Sequence, residues 1–254
     1  MPVAEPILSL QGLRKSYGAL KVTDGVDLEI MPGELHAVIG PNGAGKTSLV
    51  HQICGTLRSD AGRILFEGAD IIGLAVHQRA RLGLARSFQI TQIVPGFTVL
   101  DNVALAVQGR ARSTFRFFRP AAGDPALEGP AMEALRVVDL AGRADLPAGL
   151  LSHGEKRSLE LAIALAQSPK LLVLDEPMAG TGPEETARLI DILSRLKGRL
   201  AILLVEHDMH AVFALADRVT VLVYGRVIAS GPPDAVRADA GVREAYLGDE
   251  AEAA

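Results

Sequence analysis

The chain has 254 residues, long enough for one large domain or for two lobes over a shared core. Its 26 basic and 30 acidic side chains nearly balance, and a net charge of −4 excludes the strong basic excess of a general nucleic-acid binder. A single cysteine, Cys54, excludes an intrachain disulfide framework and any multi-cysteine metal site, as fits a reducing cytosol.

The opening Met-Pro-Val-Ala-Glu-Pro has neither the basic start nor the apolar run of a signal peptide. Val26, Leu28 and Ile30 alternate with polar neighbours before Pro32-Gly33, and Ile64 and Phe66 alternate between Gly62 and Gly68, so the first part reads as strands and turns. Between them Glu34-Leu35-His36-Ala37-Val38-Ile39 is an apolar strand that runs straight into a glycine-rich turn. The segment from Lys46 to Cys54 then places Leu49, Val50 and Ile53 on one helical face, with Gly55 as its stop. From about Arg79 to Gln167 the pattern is helical, interrupted by a Gly/Pro/Arg-rich stretch from Gly109 to Pro130.

Two short buried-type strands follow, Leu171 to Leu174 and Ala201 to Val205, with a helical pattern from Glu184 to Leu196 between them. Strand, helix, strand in that order predicts a parallel sheet with covering helices. Val219, Val221 and Val223 alternate up to Tyr224-Gly225, and Val227 opens a return strand, which predicts a hairpin. These apolar runs fall far short of the ~20 residues that a membrane span requires, so membrane work would need other subunits to do the spanning. The chain closes on an acidic tail, residues 248–254.

The turn after the third strand, Gly40-Pro41-Asn42-Gly43-Ala44-Gly45-Lys46-Thr47, fits G-x-x-x-x-G-K-[ST] completely. Its glycines let backbone N–H groups face phosphate oxygens, and the helix from Lys46 points its positive end at them. Lys46 is expected on the β- and γ-phosphates, Thr47 on Mg²⁺, and Ser48 in the same nucleotide-facing turn. A second site is expected where Leu171-Leu172-Val173-Leu174 ends in Asp175-Glu176. Asp175 there can hold Mg²⁺ through water, and Glu176 can polarise the attacking water, because phosphoryl transfer needs positioning and charge stabilisation above all. Alone, Asp175-Glu176-Pro177 would pass for a surface turn; beside a complete phosphate loop that bland reading weakens.

With these motifs the sequence resembles, over nearly its whole length, the ATPase subunits of ABC transporters. The resemblance implies an α/β fold: a P-loop NTPase core (about 1–88 and 167–247) with an N-terminal antiparallel β subdomain and an inserted helical subdomain (about 89–166). It assigns Tyr17 to stacking on adenine, and Gln89, in Arg86-Ser87-Phe88-Gln89, to linking Mg²⁺ and water to the transmembrane partner. Leu151-Ser152-His153-Gly154-Glu155-Lys156 looks like the family signature, with Ser152 and Gly154 on a phosphate, and His207 matches the switch histidine on the γ-phosphate. Each residue has a plainer reading. Ser152, for instance, can serve as an N-cap whose capping box Glu155 completes, and the two roles are compatible.

The family pattern further implies ATP and Mg²⁺ as cofactors and a head-to-tail dimer, identical or mixed, in which one chain's P-loop faces the other's signature. Transmembrane permease subunits are the implied partners, with a periplasmic or extracellular solute-binding protein acting indirectly. The implied location is peripheral, on the cytoplasmic face of the cell membrane. His153 and Glu155 replace the glycine and glutamine of the commonest signature, and Met178-Ala179-Gly180-Thr181-Gly182 lacks the carboxylate or asparagine that many members carry there.

The segments Leu84–Gln89, Phe97–Val103, Gly182-Pro183-Glu184-Glu185 and Ala245-Tyr246-Leu247-Gly248 are most similar to branched-chain amino acid importers. Importers for urea, short amides and aromatic acids share these features, and a lipopolysaccharide-export branch is close. A soluble ABC ATPase of translation or repair would usually carry two cassettes or a long coiled coil, and a GTPase switch would carry an Asn-Lys-x-Asp motif; the chain has neither. In the insertion, Arg110, Arg112, Phe115, Arg116, Phe117, Phe118 and Arg119 read either as a contact for lipid headgroups or a membrane subunit, or as a loop tucking its rings against its own lobe. The stretch is short and lacks a clear helical moment, which favours the loop.

Overall fold

The structure is a computed structural model that describes residues 5–86, 93–110 and 123–244. Two sheets organise it. The strands β1 (Leu8–Tyr17), β2 (Leu20–Ile30), β4 (Ala61–Phe66) and β5 (Ala69–Asp70) form an antiparallel sheet in the order β2-β1-β4-β5. The second sheet has six strands in the order β10-β9-β3-β8-β7-β6: β3 (Leu35–Ile39), β6 (Leu84–Arg86), β7 (Leu171–Asp175), β8 (Ala201–Val205), β9 (Arg218–Val223) and β10 (Arg226–Gly231). Only β10 runs antiparallel, paired to β9 through the hairpin at Tyr224-Gly225.

The strands β3, β7 and β8 are buried along their whole length. Their apolar side chains divide by the two-residue period of a strand. Leu172, Leu174, Ile202 and Leu204 join the core beneath the helices, whereas Leu171, Val173, Leu203 and Val205 join the core shared with the antiparallel sheet. Continuous apolar runs are what a strand covered on both faces requires. The helix α1 (Lys46–Cys54) packs into the second core through Leu49, Val50 and Ile53 and ends on Gly55, whose left-handed φ of 82° closes it. The helices α3 (Val99–Arg110), α4 (Pro125–Val137) and α5 (His153–Ala166) pack on one another, and α6 (Pro183–Leu196) and α7 (Met209–Leu215) cover the first core.

Two elements differ from the sequence expectation. The region expected to turn helical from about Arg79 opens within α2 (Val76–Leu82) and then holds the three-residue edge strand β6, which is too short for any alternation to register. The stretch expected to interrupt the helices contains the first turns of α4, which starts on Pro125 and carries Pro130 inside it. Pro125 costs that helix no hydrogen bond, because an N–H in the first turn has no partner within the helix.

Candidate functional site

Register sets the site. Val38 of β3 pairs with Val205 of β8, and Val205 pairs with Asp175 of β7, so three neighbouring parallel strands end at one level. The residues that follow them, Gly40, Glu206-His207 and Glu176, therefore share the carboxyl edge of the sheet. In open α/β sheets this is where ligands bind.

The loop between β3 and α1 is pressed from two sides. A Cβ at Gly40 would run into the carbonyl oxygen of Leu222, and one at Gly45 into that of Val22. Gly45 also holds a left-handed φ of 102°, so two independent constraints require glycine there. The β9–β10 turn laces the loop to β2: the Gly225 N–H donates to the Ala44 carbonyl at 2.9 Å, and the Asp24 N–H donates to the Gly225 carbonyl at 2.8 Å. The helix α1 starts with no side-chain cap and no acidic residue in its first turn, which leaves its positive end for an external anion. Lys46 is buried, and its Nζ donates to the carbonyls of Gly40 (2.6 Å) and Pro41 (3.0 Å). Burial lowers its pKa, against the pull of the Glu176 and Asp175 carboxylates. Asn42, Gly43 and Thr47 are exposed around it, with Ser48 half-buried.

Asp175 is buried at the end of β7. Its Oδ2 accepts from Arg86 Nη2 at 2.9 Å, and its Oδ1 has no hydrogen-bond partner. Burial raises its pKa, while Arg86 opposes that rise. Glu176 follows with a left-handed φ of 49°, and its N–H donates to the Val205 carbonyl at 2.8 Å. A non-glycine residue held there carries strain, and such strain clusters at functional sites.

Glu206 at the end of β8 is wholly buried and accepts from the Met178 N–H (2.8 Å) and the His207 N–H (3.0 Å). Burial raises its pKa, and these amides hold it down. One carboxylate thus ties the segment after Glu176 to the loop that carries His207, whose own side chain is exposed. Tyr17 ends β1 and is 56% exposed, and the Lys15 ammonium lies 5.3 Å from its ring centroid. Its hairpin leads into Val22, whose carbonyl faces Gly45, and so lies beside the phosphate loop.

Ser152 is the N-cap of α5. Its Oγ accepts from the Glu155 N–H at 3.2 Å, and Glu155 Oε2 accepts from the Ser152 N–H at 2.9 Å, which completes a capping box. The Gly154 N–H donates to Glu185 Oε1 at 3.0 Å. Arg143 Nε lies 3.3 Å from Glu155 Oε1, so the signature's partners come from α5 itself, from α6 and from Arg143. His153 is exposed.

The structure brings Gly40–Ser48, Asp175, Glu176 and His207 to one edge, places Tyr17's hairpin beside them and keeps Ser152 and Gly154 on α5. Gln89 and residues 112–119 lie outside the described residues, as does the 245–248 segment; Arg110 donates to Ser168 Oγ at 2.7 Å. Arg86, Glu185 and Glu206 carry contacts that sequence reasoning did not single out. For Arg86 and Glu206 the sequence signal is a charged residue at the end of, or directly after, an apolar run; for Glu185 it is the acidic pair after Gly182-Pro183 at the start of α6.

Asp175 Oδ1 and the Thr47 hydroxyl are oxygen donors of the kind Mg²⁺ takes. No group of three or more His, Cys, Asp or Glu side chains that could hold a metal occurs among the described residues.

A family model described as ABC transporter matches residues 23–179, and one described as branched-chain amino acid ATP-binding cassette transporter matches residues 226–252. The high-affinity branched-chain amino acid transport ATP-binding protein LivG of Escherichia coli (strain K12) is 34% identical over 256 residues, covering 97% of this chain and 100% of LivG. The lipopolysaccharide export system ATP-binding protein LptB of Haemophilus influenzae is also 34% identical, over 96% of this chain and 98% of LptB. Among solved structures, the ADP conformation of MJ1267, an ATP-binding cassette of an ABC transporter, superposes with a TM-score of 0.84 at 30% identity, covering 96% of this chain and 99% of that one.

Proposed function

Because the chain belongs to the ABC transporter family, as a nucleotide-binding ATPase subunit, we propose that it powers uptake of branched-chain amino acids or a related small polar solute. The observation that carries the catalytic part is the shared edge of β3, β7 and β8, which gathers Lys46, Asp175 and Glu176. The importer reading is supported by the C-terminal match at residues 226–252 and by the relatives named for that transport. Equal identity to LptB supports lipopolysaccharide export as the second reading.

In this reading the N–H groups of the 40–47 loop and the first turn of α1 cradle the triphosphate, and Lys46 exchanges its loop carbonyls for phosphate oxygens. Tyr17 stacks on adenine. Mg²⁺, when bound, neutralises phosphate charge, and Asp175 Oδ1, Thr47 and Gln89 are the groups that would hold it. Glu176 orients and polarises the attacking water, and its left-handed backbone aims the carboxylate. His207 meets the γ-phosphate from the Glu206-braced loop.

Ser152 and Gly154 serve the ATP of a second ATPase subunit, identical or different. The lobe of about residues 89–166 faces the transmembrane permease, with a solute-binding protein acting through that permease. No helix among the described residues is long and apolar enough to cross a membrane; the chain works as a peripheral subunit at the cytoplasmic face.

Glu176→Gln keeps size but removes the charge, so hydrolysis should stall with ATP bound and the chain should shift from monomer to dimer on size-exclusion chromatography with ATP, but not with ADP. Adding Ser152→Arg should abolish the shift. Wild-type turnover in Glu176→Gln, or an ATP dimer untouched by Ser152→Arg, rejects the reading.

A further inference from the structure

The N–H of Gly154, a residue assigned above to the ATP of a second subunit, already has an anionic partner within its own chain. Glu185 reaches across from α6 and accepts it at 3.0 Å. The approach is close enough that a Cβ at Gly154 would overlap the Glu185 carboxylate, so glycine is what admits this contact. Glu185 stands in the first turn of α6, and Gly154 in the first turn of α5. One carboxylate thus lies at the N-terminal ends of two helices. Arg157 and Arg188 line the same cleft, with Ser158 and Thr181.

We propose that Glu185 is a built-in competitor for the γ-phosphate, occupying the signature amide until ATP on a second copy displaces it. A single N–H makes one well-aligned hydrogen bond, and a carboxylate and a phosphate sharing it would repel at contact distance. Docking of the phosphate therefore requires Glu185 to turn away. Because α6 follows directly from the 176–182 segment, that release loosens one anchor of the loop that carries Glu176. The inference rests on the shared-site reading of the proposed function.

The test compares Glu176→Gln with Glu176→Gln/Glu185→Ala and Glu176→Gln/Glu185→Gln by sedimentation velocity over a range of protein concentration with MgATP. Removing a charge-assisted competitor should tighten the ATP dimer about tenfold in the alanine variant, with the glutamine variant, which keeps shape without charge, between it and the parent. Hydrogen exchange on the nucleotide-free chains should show faster exchange at the Gly154 amide in the alanine variant, by more than at the other amides of α5. A dimer of equal or weaker affinity without Glu185, or a Gly154 amide no faster to exchange, overturns the inference. If none of the three chains dimerises with ATP, the shared-site reading itself fails and takes the inference with it. A dimer in all three at one affinity defeats the inference alone.

Discussion

Arg86 and Asp175 meet at 2.9 Å with side chains 12% and 0% exposed. A buried pair of this kind is costly to break from one side, since the remaining charge loses its partner in a poorly solvated place. Arg86→Ala should lower unfolding stability by about 3 kcal/mol, measured by urea denaturation, and adding Asp175→Asn should recover a large part of the loss. Equal loss in the single and double variants would mean that Arg86 acts by packing alone. Tyr17 poses a different question, because Lys15 lies over its ring and a purine must take the other face or displace the ammonium. Tyr17→Ala should weaken ATP binding about fivefold by isothermal titration, and Tyr17→Phe should leave it nearly intact, since the ring makes the contact. The motif residues were legible because backbone chemistry forces them: only glycine tolerates the positions at 40 and 45. The backbone twist at Glu176 was not, since φ at a non-glycine residue is imposed by what surrounds it.

At the level of elements, the sequence pattern Ser152-x-x-Glu155 before an apolar helix announced the cap of α5, and both reciprocal hydrogen bonds are present. Ser152→Ala should cost about 1 kcal/mol of stability, read from denaturant midpoints without nucleotide. The β9–β10 hairpin was equally legible, but its attachment was not. Arg226 Nη2 lies 2.6 Å from Asp24 on β2, with Lys21 at 3.2 Å and Arg14 at 3.3 Å from the same carboxylate. Hydrogen bonds from Arg226 and then Lys21 hold the Asp24 pKa below its ordinary 3.8. A carboxylate lowered in the folded state stabilises it above the ordinary value, and that contribution disappears as pH falls through the folded pKa. Asp24→Asn should therefore melt lower than the parent at neutral pH, and the gap should close in strong acid. A gap independent of pH would place the effect in packing. The short strand β6 and the start of α4 escaped the pattern for opposite reasons. Three residues give no period to detect, and Pro125, which looks like a breaker, is harmless at a helix start.

For the molecule as a whole, two cores lie on either face of the six-stranded sheet and share β3, β7 and β8. Cys54, at the end of α1, lies in the second core with its thiol pKa pushed up to about 12 by burial. It should resist maleimide at pH 8 in the native state and react fully in urea, at a rate that follows unfolding; rapid native labelling would show that α1 opens by itself. The sequence by itself determined the buried strands β3, β7 and β8, the phosphate loop, the paired carboxylates and the signature cap, because each is written in contiguous residues whose period or φ requirement is local. Only the tertiary structure decided which strands lie side by side, and hence that Val38, Val205 and Asp175 share one level. It also decided that Arg86 reaches Asp175, that Glu206 gathers two distant amides and that Glu185 takes the Gly154 N–H. Those contacts join residues 28 to 89 positions apart, the Glu206–His207 bond excepted. Their partners are chosen by sheet register and helix packing, which no local pattern encodes.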